Sequence, residues 1–343
     1  MKRMLNTLYI LTQGSYVNKN GEALVIRVDN IDKSKIPIIT IQAVVCFGNV
    51  LVTPSAIELC TKNKVTITYL SYYGRFMARI QGEISGNVLL RKAQYRMSDD
   101  PLTSARIARN IVAAKIYNSK QVLHRAIRDH GENLEIELIR NTINSMKRSA
   151  EIVLEETDLE KIRGIEGDAA KQYFNHFDAL IRSQKADFFF KDRNRRPPLD
   201  RVNALLSLTY TLLYNDLRSA CEIVGLDPAV GFLHRDRPGR NGLALDLMEE
   251  FRSFIADRLV LTTINLKQIE GKQFECSESG AVIMTDEAKR IVLGNYQQRK
   301  QDSITHTFLQ EEMHIGLVFH AQAMLFARFI RGDIEEYPSF LWR

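Results

Sequence analysis

GFLHRDRPGRNGLALDLMEEFR, residues Gly231–Arg252, is the stretch from which the rest of the chain is best read. Phe232 and Leu233 form a short apolar lead-in that delivers His234, and a basic turn follows with Arg235, Arg237, Pro238, Gly239 and Arg240. The pattern then predicts a helix over Leu243–Asn265, with Phe251, Phe254 and Ile255 turned inward. Asp246 and Glu249 stand three residues apart on it, so both carboxylates leave one face about a turn from each other. Glu250 points about 100° further round and shares that face less well. An imidazole beside one or two carboxylates suits magnesium or manganese. Neighbouring arginines suit a phosphate. Taken alone, the stretch reads as a metal ion acting on a phosphodiester.

Upstream, the helical pattern begins at Asp99. A helix runs from Asp100-Pro101 to about Asp129, and a second covers Glu132–Glu156. Next comes TDLEKIRGIEGDAAKQYFNHF, residues 157–177, where Thr157 and Glu160 predict a capping box. Glu166 sits between Gly164 and Gly167. Glycine inside a helix costs about 1 kcal/mol against alanine, so the pair is expected to mark a close backbone approach or a kink. That makes Glu166 a functional candidate; the plainer alternative is a solvated surface charge. Residues 188–203, FFFKDRNRRPPLDRVN, place Lys191, Arg193, Arg195, Arg196 and Arg201 beside Pro197-Pro198. A basic loop stiffened in this way suits contacts to a phosphate backbone. The helix Val202–Val224 is apolar enough to be central, with Asn203 and Tyr214 as its polar exceptions. Downstream, a hairpin is expected over Phe274–Cys276 and Ala281–Met284, Thr285 caps a helix to about Gln298, and a final helix spans Thr305–Ile330.

Residues 1–95 read differently. Leu5–Ile10, Ala23–Val28, Ile38–Ile41, Val44–Phe47 and Val65–Leu70 are short runs rich in β-formers, separated by turn signals at Asn18–Gly21 and Asp29–Lys33, with one helix at Pro54–Thr61. The expected class is α+β: an N-terminal β-sandwich-like domain, 1–95, followed by a larger all-α C-terminal domain, 96–343, that carries the chemistry. A chain of 343 residues is long enough for two such cores.

Composition narrows the partners. Lys and Arg number 47 against 41 Asp and Glu, a net charge of +6 that favours a polyanion. Cys46, Cys60, Cys221 and Cys276 are widely spaced and read as reduced, mostly buried thiols, not as a disulfide framework or zinc site. No apolar run approaches the roughly 20 residues of a membrane span and no secretory signal is visible, so a cytoplasmic protein is expected. His124, His130, His176, His306, His314 and His320 lack partners at ligand spacing and read as structural. There is no HExxH, P-loop, GxGxxG or GxSxG pattern.

With these residues in place, the chain resembles the CRISPR-associated integrase family, the endonuclease-integrases of spacer acquisition. Three stretches carry the likeness: RGIEGDAAKQYF around Glu166, RNRRPPLDRVNALLSLTYTLLY at 193–214, and GFLHRDRPGRNGLALDLMEEFR at 231–252. The resemblance implies a homodimer formed through the β domain and a helical catalytic domain. Glu166, His234 and Glu249 are then the ligands of Mg2+ or Mn2+, and Asp246 is a nearby essential acid. At 249 several relatives carry Asp where this chain has Glu. Asn203 and Tyr214 fall at positions the family places near the DNA end. Arg193, Arg195, Arg196, Arg237 and Arg240 are expected on backbone phosphates of double-stranded DNA. A small ferredoxin-like CRISPR-associated dimer that bridges two integrase dimers is the implied partner. The implied reaction is transesterification, joining 3′-hydroxyl ends of short DNA into a repeat array. Two alternatives are a metal-dependent nuclease for branched DNA and a non-catalytic helical nucleic-acid-binding scaffold.

Overall fold

The computed structural model describes residues 6–83, 88–130, 135–195, 197–278 and 280–342. Contacts divide the chain into two compact units. The first comprises Met1–Ser85, Met284–Asp302 and His314–Leu317. The second comprises Gly86–Ile283, Ser303–Met313 and Val318–Arg343.

Among the described residues the N-terminal part of the first unit carries eight strands: β1 (Thr7–Ile10), β2 (Ser15–Asn20), β3 (Ala23–Val28), β4 (Ile31–Pro37), β5 (Ala43–Phe47), β6 (Val50–Val52), β7 (Thr66–Leu70) and β8 (Phe76–Ile80). They form two four-stranded sheets, ordered β1-β5-β7-β8 and β4-β3-β2-β6. β1, β5 and β7 run parallel, and helix α1 (Pro54–Lys62) lies on the crossover to β7. Thr53 caps α1 by accepting the Ala56 amide, and Pro54 takes the first turn, where its missing N–H is no loss. One apolar cluster draws Val17 and Leu24 from one sheet and Ile10, Val44, Cys46 and Ile67 from the other. Val44 and Cys46 reach it together because side chains two apart share a strand face.

Two local expectations fail here for identifiable reasons. Ile38–Ile41 is not a strand. Residues Ile38–Thr40 form a 3-10 turn closed by Thr40 Oγ1 donating to Pro37 O at 2.7 Å, and Ile38 and Ile41 are buried in the same apolar cluster. The turns expected at Asn18–Gly21 and Asp29–Lys33 form at Gly21 and at Asp29–Asn30, but they are tighter than expected, and the rest of each stretch belongs to β2 and β4. β4, IDKSKIP, is an exposed edge strand that pairs with β3 through its backbone, so its polar side chains conceal it. Leu5, where the first strand was expected to begin, lies outside the described residues.

The second unit begins with α2 (Val88–Asp99), α3 (Pro101–His130), α4 (Ile136–Glu155), α5 (Leu159–Phe174) and α6 (Phe177–Leu180). The expected stop at Gly131 and start at Glu132 lie outside the described residues. α5 is capped by Asp158, which accepts the Glu160 amide at 2.8 Å; the expected Thr157–Glu160 capping box does not form. α7 (Arg201–Val224) is the core helix, with Leu205, Leu206, Leu213 and Leu217 fully buried, and it ends on Gly225 in the left-handed conformation.

The single helix expected over Leu243–Asn265 is three pieces: α8 (Gly242–Glu249), a π-helical turn (Arg252–Asp257) and α9 (Arg258–Asn265). The expected hairpin follows as β9 (Phe274–Cys276) and β10 (Val282–Met284), and Thr285 caps α10 (Asp286–Gln301) as its position predicts. The last helix starts ten residues later than expected. β11 (Ser303–Thr305) and β12 (Glu312–His314) pair, and α11 runs Ile315–Arg331. His306 is the reason. Its buried ring accepts the amides of Phe308 and Leu309 at Nδ1 and bonds Gln322 at Nε2, which locks a turn where periodicity reads as helix. Among the described residues no helix is long and apolar enough to cross a membrane.

Candidate functional site

The site lies in the second unit and is built around α8. Asp246 is fully buried, and its carboxylate accepts four hydrogen bonds. Three come from the backbone amides of Phe232 (2.6 Å), Leu233 (3.0 Å) and His234 (3.0 Å), and the fourth from His234 Nδ1 at 2.7 Å. One side chain therefore shapes the approach loop and fixes the imidazole. With Nδ1–H committed to Asp246, Nε2 is left as a lone-pair donor, the arrangement that metal-binding histidines use. Such closeness needs two glycines: a Cβ on Gly231 would lie 2.6 Å from the Gly242 carbonyl carbon and 2.9 Å from Asp246 Oδ2.

Glu249, one turn on, is the hub. It is only 3% exposed, and His234 Nε2 lies 3.9 Å from its Oε1. Arg252 Nη2 lies 3.2 Å from the same oxygen, and Lys115 Nζ, from α3, lies 2.7 Å from Oε2. Lys115 also contacts Glu166 Oε1, from α5, so one ammonium stands between two carboxylates. Burial pushes the Glu249 carboxyl up, but Arg252, Lys115 and His234 outweigh it and hold the group well below the ordinary carboxylate range. Lys115 shows the mirror image: burial disfavours its charge, and Glu249 and Glu166 hold it protonated. Glu166 thus arrives at the site by helix packing. Neither Gly164 nor Gly167 marks a close approach, since a Cβ at either would meet nothing within 4 Å, and α5 runs unbroken past both.

Glu166, Glu249 and Nε2 of His234 supply two hard oxygens and a borderline nitrogen, a set that fits a divalent ion. Glu249 Oε2 strengthens the fit. It is buried and accepts no hydrogen bond, because the Lys115 contact, although close, lies outside hydrogen-bond geometry. Among the described residues no three His, Cys, Asp or Glu side chains close on a common point. Lys115 stands in the gap.

The π-helical turn explains a further feature. Arg252 lies over the Tyr210 ring at 5.1 Å, and Asp257 accepts the Tyr210 hydroxyl at 2.5 Å. Residues five apart are about 140° apart on an α-helix and do not share a face. The i→i+5 spacing of a π turn stacks them, so both reach one tyrosine. Burial raises the Asp257 carboxyl to about 6 against the pull of Tyr210, Tyr173 and the arginines. On the same ring, at 5.3 Å, lies the guanidinium of Arg193.

Arg193 is accordingly an internal brace. It donates to Asn203 Oδ1 at 2.6 Å and to Ser207 Oγ at 3.2 Å. Asn203 is fully buried and donates to Asp192 O and to Asp200, so it shapes the basic loop from within and presents nothing to a substrate. Arg196 lies outside the described residues. Arg195 and Arg237 are exposed, and Arg240 is half-buried. Burial, then the charges of Arg237, Arg195 and Arg163, lower the Arg240 pKa against an opposing pull from Asp246. Three chain segments thus bring positive charge together beside the carboxylates. Tyr214 is half-buried and its hydroxyl accepts from Asn241. Glu250 is no rival to Glu249. Fully buried on the other side of α8, it accepts from Tyr337 and Phe340 at 2.7 Å and from Gln322 at 3.0 Å, and burial raises its carboxyl to about 8.

Sequence reading missed Lys115, Arg252, Tyr210 and Arg163. Lys115 and Tyr210 sit in helical patterns that look like ordinary core and surface. Arg252 was part of the quoted motif, and its three-residue offset from Glu249 was the available signal.

Comparison with known proteins supplies the context. Residues 8–298 match the family described as CRISPR associated protein Cas1. CRISPR-associated endonuclease Cas1 1 from Chlorobaculum tepidum is 51% identical over 343 residues, covering 100% of both chains. A solved casposase bound to integration product superposes with a TM-score of 0.83 at 24% identity, covering 98% of this chain and 94% of that one. A Cas6-RT-Cas1–Cas2 complex contains a chain that superposes with a TM-score of 0.81 at 23% identity, covering 100% of this chain and 36% of that one. At those identities the two structures speak for a shared fold.

Proposed function

The chain belongs to the Cas1 family of CRISPR-associated endonucleases, and on that footing we propose that it is a metal-dependent DNA integrase that inserts short duplexes into a CRISPR repeat array. The reaction is a transesterification. The 3′-hydroxyl oxygen of the incoming strand forms a bond to a phosphorus at the repeat boundary and gives up its proton; the P–O3′ bond of the target breaks, and the released 3′-oxygen takes up a proton. The same centre, offered water, nicks DNA.

One observation carries the reading: Glu166 and Glu249 share the Lys115 ammonium, and His234 Nε2 lies 3.9 Å from Glu249 Oε1, so the three side chains gather about that ammonium beside the arginine cluster. Those three residues would hold Mg2+ or Mn2+, which when bound supplies Lewis acidity and charge neutralisation at the phosphate. Asp246 keeps His234 in the tautomer that can ligate. Arg195, Arg237, Arg240 and Arg163 hold and orient backbone phosphates of the double-stranded substrate without reading sequence. Tyr214, beside Asn241 at the start of α8, supports the substrate end. Residues 1–95 form the homodimer, a ferredoxin-like Cas2 dimer bridges two such dimers, and the assembly works in the cytoplasm. The casposase on its integration product and the Cas1–Cas2 complex support these assignments by fold.

A strand-transfer gel with Mn2+ tests the reading. Joined product is expected from the wild type and none from Glu166→Ala, His234→Ala or Glu249→Ala. Nicked DNA without joining would favour a structure-specific nuclease instead. An unfolding temperature indifferent to Mn2+ would favour a scaffold, since an ion that binds only the folded state must stabilise it.

A further inference from the structure

Lys115 has no role in the reaction as written, and it sits between two of the carboxylates of the centre. Its side chain is 12% exposed and its ammonium lies 2.7 Å from Glu249 Oε2 while contacting Glu166 Oε1. A cation between two carboxylates is the electrostatic arrangement that a divalent ion would create. A protonated amine cannot ligate a metal, and it cannot share a gap of that size with one, because like charges at contact repel strongly where water is scarce.

We propose that Lys115 is the resident counter-ion of this site: its ammonium occupies the place between Glu166 and Glu249 that a divalent cation takes, and the metal enters by displacing it. The inference rests on the metal-binding reading above and deepens it. Two consequences follow from the charges. Before metal arrives, Lys115 lets a buried carboxylate and a half-buried one from different helices face each other without the penalty of an uncompensated pair. When metal arrives, breaking the Lys115 contacts is subtracted from its binding free energy, so the chain sets its own metal affinity. A small recess lined by Ser119, Met146, Ala169 and Ala170 adjoins Lys115 and Glu166. Arg252 remains on the other oxygen of Glu249, so that carboxylate stays oriented throughout.

The test is calorimetric titration of MnCl2 into the full-length protein, with melting curves at zero and saturating Mn2+, for the wild type, Lys115→Met, Lys115→Arg and Glu249→Gln. Lys115→Met is expected to bind Mn2+ about tenfold more tightly or better, the equivalent of about 1.4 kcal/mol. It is expected to melt below the wild type without metal and to close that gap at saturation. Lys115→Arg keeps the charge and should bind within a few-fold of the wild type. Should Lys115→Met fail to fold without metal, recovery on refolding in Mn2+ supports the proposal, and failure in saturating Mn2+ overturns it. Folded Lys115→Met that binds no tighter than the wild type, while Glu249→Gln loses binding, overturns the role of Lys115 and leaves the metal site standing. Mn2+ binding that is absent from the wild type, or unchanged in Glu249→Gln, removes the metal site and this inference with it.

Discussion

Replacing Asp246 with Asn changes one oxygen to an NH2 group and is the most informative perturbation of this centre. In the wild type, one carboxylate oxygen accepts the Phe232 and Leu233 amides, and the other accepts the His234 amide and His234 Nδ1. An Asn side chain has two ways to sit. With its oxygen toward His234, the NH2 faces two buried amides, and both lose their acceptor. With its oxygen toward Phe232 and Leu233, only the His234 amide loses its acceptor, and the imidazole can bond the NH2 by moving its own proton from Nδ1 to Nε2. Counting the two N–H of the new amide, the second arrangement strands two donors where the first strands four, a difference of about 2–6 kcal/mol, so it prevails. Folding stability should therefore drop by about 2–6 kcal/mol, the cost of two unsatisfied donors, the His234 amide and the second N–H of the Asn side chain. Metal affinity should fall about 10- to 100-fold, as is typical when the partner that orients a ligating histidine is lost, because Nε2 now carries the proton. Mn2+ titration calorimetry measures the affinity, and 15N NMR of labelled imidazole reads the tautomer. Wild-type Mn2+ affinity in folded Asp246→Asn, with Nδ1 still protonated, would refute the reasoning.

Three further outcomes are expected. The Glu250 carboxyl titrates at about 8 in the folded chain against an ordinary 4.5, so the folded state keeps a proton that the unfolded chain releases, and stability falls as pH rises between those values. Glu250→Gln removes that slope, at most about 1.4 kcal/mol per pH unit, and denaturant unfolding of both proteins from pH 4.5 to 8.5 should show the curves diverging in the variant's favour; parallel curves would count against it. Gly231→Ala places a Cβ 2.6 Å from backbone carbon and should destabilise by about 1–3 kcal/mol by overpacking while weakening Mn2+ binding, which thermal unfolding and calorimetry will show. Arg195→Ala with Arg237→Ala, both exposed, should leave the unfolding temperature alone and lower the slope of log affinity for duplex DNA against log salt by about 2; an unchanged slope in a salt series would remove these residues from the DNA contacts.

Much of this protein is legible in one dimension. β-branched runs punctuated by turns identify the strands around Ala23–Val28 and Thr66–Leu70, and the 3.6-residue rhythm identifies α3, α4 and α7, because burial of one face is written directly into spacing. The motif 231–252 likewise announces His234, Asp246 and Glu249, whose offsets along one loop and helix fix their neighbourhood. Where backbone pairing or side-chain-to-backbone bonds decide structure, spacing is silent. That is why the polar edge strand β4, the His306 turn and the π turn after Glu249 were misread. For the same reason, glycines flanking Glu166 misled while Gly231 and Gly242, which do touch, went unnoticed.

Sequence alone determined which residue types this chain has available for a cation and a phosphate, and on which helices they sit. Only the tertiary structure decided that Lys115 of α3 stands between Glu166 of α5 and Glu249 of α8, that Arg193 and Asn203 brace the basic loop from inside, and that Arg163, Arg195, Arg237 and Arg240 pool their charge. Those are contacts between segments tens of residues apart. They depend on how helices pack and on the need to neutralise buried charge, and neither leaves a periodic trace in any one of the segments involved.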